Sequence, residues 1–253
     1  MRWFEIGLVI LLVVFSGAML GMLIGRFLPP HHLSSETRAV ISVSMAVVGT
    51  ASALVLGLLI SSANSSFSIR NTEVTRMSAD IIRLDQLLRR YGPEADVARD
   101  SLRRYAAIKF DDLFPAGLGG KPHVDNPATL ETLEHVQDSI LALNPRDNRQ
   151  HWLTAQSLQL AADISETRWL LVQQSASSIP LPFLILLVFW LTLLFASFGL
   201  FAPRNFTTAV ALFLCSLAVS AGIEMVLDMD NPFEGLVRVS SAPMSHAMEV
   251  IRH

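Results

Sequence analysis

Cysteine and charge are both scarce in this chain. Cys215 is the one cysteine among 253 residues, so no intrachain disulfide can brace the fold. Only 16% of residues are charged, against 51% hydrophobic, which is too apolar for an ordinary soluble domain. The shortage is uneven. No charged residue lies between Glu5 and Arg26, Arg38 and Arg70, Arg168 and Arg204, or Arg204 and Glu224. Each gap is long enough for a helix of about 20 residues to cross a hydrocarbon core about 30 Å thick.

Enzyme signatures are missing too. There is no HExxH, no GxSxG and no cysteine pair, so no nucleophile–base or metal set suggests catalysis. Gly117-Leu118-Gly119-Gly120-Lys121-Pro122 looks like a phosphate loop, but no strand precedes it, and Pro122 stands where Ser or Thr would bind magnesium. It reads as a turn. His31-His32 has no cysteine or carboxylate cluster beside it and reads as an interfacial loop. No period-2 alternation and no internal repeat is present. These features predict an all-α membrane protein with no enzymatic activity and no cofactor.

Four spans are predicted: Ile6–Leu28, Thr37–Ala63, Ile179–Ala202 and Thr207–Leu227. The first is too long for a signal peptide and ends at Gly25-Arg26-Phe27-Leu28-Pro29-Pro30 rather than at a small-x-small site. The domains are then 1–63 for the first two spans, 64–178 for a helical segment, 179–229 for the last two spans, and 230–253 for a tail. Arg2, Arg70, Arg76, Arg83, Arg168 and Arg238 flank the spans on one side, and Arg26, Arg38 and Arg204 on the other. That excess places both termini and the middle segment in the cytoplasm, as for a multi-pass membrane protein. The middle segment carries 13 basic and 15 acidic residues, a balance that excludes a nucleic-acid footprint.

The middle segment reads as helix throughout. Val74, Met77, Ile81, Leu84, Leu88 and Tyr91 recur at steps of three and four, an amphipathic stripe. The second span is therefore expected to continue unbroken until Gly92-Pro93. A helix over Glu94–Phe114 should turn Leu102, Tyr105, Ile108 and Leu113 inward. Asn126 can cap the next helix, with Pro127 at its first position, running to Leu143. A long helix over Arg149–Ser178, with Leu153, Leu160, Ile164 and Leu171 inward, leads to a kink at Pro180 and Pro182. Ser241 can cap a short last helix bearing Met244, Ala247, Met248 and Ile251 on one face.

Two patterns are candidates for function. In the second span, Ser42, Ala46, Gly49, Ala53, Gly57, Ile60 and Asn64 make a small side, opposite a bulky side of Val40, Val43, Val47, Leu54 and Leu58. Small residues allow close helix packing, or they line a pore in which Ile60 forms an apolar constriction. The second pattern follows the nineteen uncharged residues Asn205–Ile223, where Glu224, Asp228, Asp230 and Glu234 crowd the end of the last span. Glu224 and Asp228 share a face at the negative end of the helix dipole. Either they mark a hydrated membrane exit, or an arginine such as Arg238, shared protons or a bound cation compensates them. Asp230 joins Glu224 and Asp228 as an ion-binding candidate; it and Glu234 lie beside the Pro232 turn, either hydrated or binding through the turn backbone.

Four stretches carry a resemblance: Ala53–Phe67 (ALVLGLLISSANSSF), Leu84–Arg104 (LDQLLRRYGPEADVARDSLRR), Trp169–Asn205, and Leu227–Pro243 (LDMDNPFEGLVRVSSAP). They resemble the bacterial bestrophin-like membrane proteins, a family remotely similar to bestrophin ion channels. Pro232-Phe233 beside Asp228 and Asp230 looks like the bestrophin Pro-Phe motif and its acidic neighbours. The resemblance implies a homopentameric ion channel in the lipid bilayer of the bacterial inner membrane, with the second span around the pore. Span two lacks the bulky ring-forming residues of a bestrophin neck, and the acidic run after Pro232-Phe233 is Glu234 alone. A non-conducting scaffold or sensor, whose cytoplasmic helices bind a partner, is the alternative.

Overall fold

The computed structural model describes residues 2–29, 34–115, 122–174, 179–233, 235 and 237–252. The His31-His32 and Gly117–Lys121 stretches and Glu234 fall outside these residues. Among the described residues there is no strand. The helices are α1 (Arg2–Phe27), α2 (Ser35–Tyr91), α3 (Asp96–Leu113), α4 (Pro127–Leu141), α5 (Asn148–Gln173), α6 (Leu181–Phe201), α7 (Phe206–Met229) and α8 (Ala242–Ile251). Four are long and apolar enough to cross a bilayer: α1 from Glu5, α2, α6 and α7.

Two compact units emerge. One comprises Met1–Ser65 and Ser177–Asp230, the other Ser66–Ala176 and Asn231–His253. In the first, α1 packs against α6 and α7 around Val14, Ala18, Leu187, Phe195 and Ile223. Glycines make this approach close. A Cβ on Gly21 would stand 2.7 Å from the carbonyl carbon of Ala196, and one on Gly199 would stand 2.9 Å from that of Ala18. Small residues drive such pairs because lipid offers no hydrophobic incentive to associate, leaving van der Waals packing to hold the helices.

The second unit buries the stripe expected on α2. Val74, Met77, Ile81, Leu84, Leu88 and Tyr91 all enter its core, and α2 is one continuous helix of 57 residues. It stops at Gly92, whose φ of 126° suits glycine, followed by a 3-10 turn over Pro93–Ala95. Asn126 caps α4 as expected, accepting from the Ala128 N–H. Asp147 caps α5 by accepting from Gln150. The described residues from Asn231 onward fold within this unit, with Met244 and Ile251 of α8 in its core.

Three local expectations change. Pro180 and Pro182 do not kink a continuous helix: α5 ends at Gln173 and α6 starts at Leu181, with Pro180 as its N-cap residue. Proline has no N–H and forces the residue before it out of the helical region, so it opens a helix more readily than it bends one. Ser241 precedes α8 but makes no side-chain cap; the Ser240 hydroxyl accepts from the Ala242 N–H at 3.2 Å. On α3, Ile108 is half-buried, and its neighbour Lys109 takes the core position.

Candidate functional site

Residues of α2 within the first unit divide into three faces rather than two. Ser52, Leu59 and Ala63 are buried and form the face that packs inside the chain. The bulky side is open, with Val40, Val43, Val47, Leu54 and Leu58 each more than 60% exposed. The small side is open as well: Ser42, Ala46, Ala53, Gly57, Ile60 and Asn64 are exposed or half-buried, and Gly49 is half-buried. A Cβ on Gly57 would meet nothing within 4 Å. Of its two glycines, Gly49 alone nears a neighbour, its Cβ position 3.5 Å from Leu194 of α6, so close packing within the chain does not account for the rest of this face. The hydroxyls of Ser44, Thr50 and Ser52 bond the carbonyls of Val40, Ala46 and Val48, one turn back, which satisfies them without water.

Ser42, Ala46 and Gly49 come together in one place. With Arg38 on α2, and Leu194, Ser197, Phe198 and Phe201 on α6, they line an open cleft of about 440 Å³. Ala53, Gly57, Ile60 and Asn64 do not reach it.

The acidic cluster divides. Glu224 is half-buried and lies against α1: a Cβ on Gly7 would stand 2.8 Å from the Glu224 carboxyl carbon. Asp228 is 6% exposed and Asp230 3%. Of the alternatives for Asp230, burial disfavours hydration: it is the C-cap residue of α7, its N–H bonded to backbone carbonyls. Burial of this degree is inconsistent with a merely solvated exit, since a desolvated carboxylate must be compensated. Among the described residues, no three His, Cys, Asp or Glu side chains are grouped as a metal ion would require.

One feature of the second unit is absent from the candidates read off the sequence. Lys109 of α3 and Arg168 of α5 are both fully buried. The Lys109 ammonium donates to the Val124 carbonyl at 3.1 Å. Arg168 donates through Nη2 to Asp125 Oδ1 at 3.1 Å and to the Asn126 carbonyl at 3.4 Å. Three successive residues thus receive both cations. Asp112 is engaged elsewhere: Asn126 Nδ2 donates to it at 2.8 Å, and the Thr129 hydroxyl donates to it as well. Burial and the nearby Arg168 charge push Lys109 down to about 8, while burial raises Tyr105. A signal existed in the sequence. Lys109 occupies the apolar face set by Leu102, Tyr105 and Leu113, and Arg168 stands between Ile164 and Leu171 on theirs.

Four bilayer-length helices and a helical unit built on the extension of α2 define the class as an all-α membrane protein. The family model for the Bestrophin-like domain matches residues 12–244, and the chain belongs to that family. Its fold resembles the crystal structures of a bacterial bestrophin homolog from Klebsiella pneumoniae. A variant with an isoleucine-to-threonine mutation gives a TM-score of 0.69 at 14% identity, covering 97% of each chain. A tryptophan-to-alanine variant gives 0.69 at 14% identity, covering 97% of this chain and 95% of that one. At such identity the likeness concerns the fold. No curated protein matches the chain.

Proposed function

We propose that the chain is the subunit of a homo-oligomeric ion channel in the bacterial inner membrane, with the small side of α2 facing the pore. The observation that carries this reading is the open state of that side in a single chain. Gly57 has free space around it, Ala53 and Ile60 are exposed, Ser42, Ala46 and Gly49 border an open cleft beside α6, and Ser52, Leu59 and Ala63 form the buried face. An open small face in a span is idle in a monomer but useful around an axis, where short side chains leave room for ions and Ile60 supplies a constriction. The bulky side then meets lipid or the next subunit. Membership of the Bestrophin-like family supports ion transport, and five subunits follow from the resemblance alone. Both termini and the helical unit lie in the cytoplasm on this reading, by the arginine distribution.

The test is cysteine substitution along α2 in protein reconstituted into liposomes, after Cys215→Ser. Thiol reagents should block ion flux at Ala46, Ala53 and Gly57 and leave it unchanged at Val43, Val47 and Leu54. Equal block on both sides, or no flux in any preparation, refutes the pore assignment. Native mass measurement showing only protomers of 27.8 kDa would refute the oligomer.

A further inference from the structure

We propose that the cleft between α2 and α6 binds one acyl chain of an anionic phospholipid from the leaflet on the Arg38 side, with the lipid phosphate at the Arg38 guanidinium. The cleft holds about 440 Å³. Its walls come from two spans of opposite direction. Arg38 near the start of α2 shares one end with Phe201 and Pro203 at the close of α6, and Gly49 shares the other with Leu194. A Cβ on Gly49 would stand 3.5 Å from Leu194 Cδ1, so the two helices meet at that depth and the cleft ends there.

Length points to one leaflet. Arg38 and Gly49 are about 16 Å apart along α2 at about 1.5 Å per residue, close to half of a hydrocarbon core about 30 Å thick. Chemistry is graded over that length. Arg38 stands at the membrane edge, the exposed Ser42 lies one turn deeper on the same face, and Ala46, Gly49, Leu194 and Phe198 make the deep part apolar. A phospholipid has the same gradient, from phosphate through ester to hydrocarbon. A spanning helix of a second copy does not. It would be apolar across the full thickness and about 10 Å wide, whereas this cleft closes midway.

The charge at the edge is available. Among the described residues, no carboxylate lines the cleft and none pairs with Arg38. Glu36, two residues earlier, lies on another side of α2. Arg204 follows Pro203, but its guanidinium turns toward α1, with Nη2 3.6 Å from where a Cβ on Gly25 would stand. A planar guanidinium suits a phosphate through paired N–H donors, and its stem can rest on apolar surface while the head stays at the interface. The cleft opens on a flank of the small side. Met45 lines it, and Ser52, seven residues on and on the same side of the helix, is buried against the chain. Ala53, Gly57, Ile60 and Asn64 lie outside the cleft, so lipid binding there does not depend on whether they line a pore.

The experiment uses the full chain in detergent, supplemented with dioleoyl phosphatidylglycerol, dioleoyl phosphatidylcholine or inorganic phosphate. Bound lipid is read by native mass spectrometry, and stability by melting temperature. Wild type should retain one phosphatidylglycerol per chain, in preference to phosphatidylcholine, and its melting temperature should rise with saturation. Arg38→Gln should weaken phosphatidylglycerol at least about tenfold in apparent affinity, to the level of phosphatidylcholine. Ala46→Phe should abolish retention of both lipids, because the ring fills the apolar half of the cleft; Ala46 is exposed, so the ring is not forced into a core. Equal retention in wild type and both variants overturns the proposal, as does no preference for phosphatidylglycerol. An equal rise with inorganic phosphate also overturns it, since the apolar half would then contribute nothing. An Ala46→Phe chain that loses its oligomer but keeps its lipid would assign the cleft to a second copy, against the proposal. Should Ala46→Phe fail to fold, Arg38→Gln decides the matter. No ion flux is read, so the outcome is independent of the pore assignment.

Discussion

Gly7 of α1 and Glu224 of α7 occupy each other's space: the carboxyl carbon of Glu224 sits 2.8 Å from where a Cβ on Gly7 would stand, and its Cβ 3.3 Å away. The candidate acid is thus held against the neighbouring helix by the absence of a side chain. Glu224 is flexible at its far end, so Gly7→Ala should be relieved by shortening it. We expect Gly7→Ala to cost about 1–3 kcal/mol in thermal unfolding, as overpacking does, and Glu224→Ser in the same chain to recover most of it. Gly21→Ala should cost more and find no such rescue. Its Cβ would strike the backbone of Ala196, 2.7 Å from the carbonyl carbon. Equal costs at the two glycines would show that helix spacing, not the Glu224 contact, governs both.

Much of the fold was legible because periodicity is a direct record of burial. Every member of the α2 stripe from Val74 to Tyr91 is in the core, and Asn126-Pro127 opens α4 where its chemistry requires. The role of the small side of α2 was less legible. Small residues serve packing and pores alike, and the face that packs, with Ser52, Leu59 and Ala63, falls between the two sides compared. The close contact lies on α1, where Gly17, Gly21 and Gly25 meet Thr192, Ala196 and Leu200 of α6. Their four-residue spacing is visible in the sequence, but the partner helix is not. Burial of Asp230 was illegible for a similar reason, because a carboxylate after a span reads the same whether it ends up covered or in water.

Lys109 gives the helical unit a pH dependence. Its pKa in the folded protein is about 8, against an ordinary value of 10.5. Arg168, Asp112, Asp125 and Tyr105 are the groups around it. Between the two values the unfolded chain holds more protons, so stability rises with pH across that window. The penalty on the charged form is fully present below pH 8. The gain across the window approaches about 3 kcal/mol, since one bound proton is worth about 1.4 kcal/mol over each pH unit. Thermal unfolding followed from about pH 7 to about pH 10.5 should show this rise. Lys109→Met should flatten it and raise stability at neutral pH. A wild-type profile that falls across the window would contradict the burial of the charge.

Orientation is open to labelling. A cysteine at His123 should react only from the cytoplasmic side, and one at Phe206, 83% exposed at the start of α7, only from outside. Cys215 is itself exposed and must first become Ser. Labelling of His123→Cys in intact cells would invert the arrangement and place the helical unit outside.

Glu224 and Asp228 should separate under charge removal, because their surroundings differ. Asp228 is nearly inaccessible at the negative end of α7, where an ionised carboxylate persists only with compensation. Asp228→Asn keeps the shape and removes the charge that its surroundings are arranged to meet. We expect a loss of about 1–3 kcal/mol in thermal unfolding, the usual cost of a spoiled buried polar interaction. Glu224 is half-buried and retains access to solvent beside Gly7, so Glu224→Gln should leave stability nearly unchanged. If Glu224 contributes to a permeation path, the same change should alter the ratio of cation to anion flux in liposomes while the oligomer stays intact. A changed ratio for Glu224→Gln with an unchanged melting temperature would assign that acid to transport. Reduced stability with unaltered flux would make it a packing group against α1. The opposite pattern, with Asp228→Asn neutral and Glu224→Gln destabilising, would mean that burial misreports which of the two carboxylates is compensated.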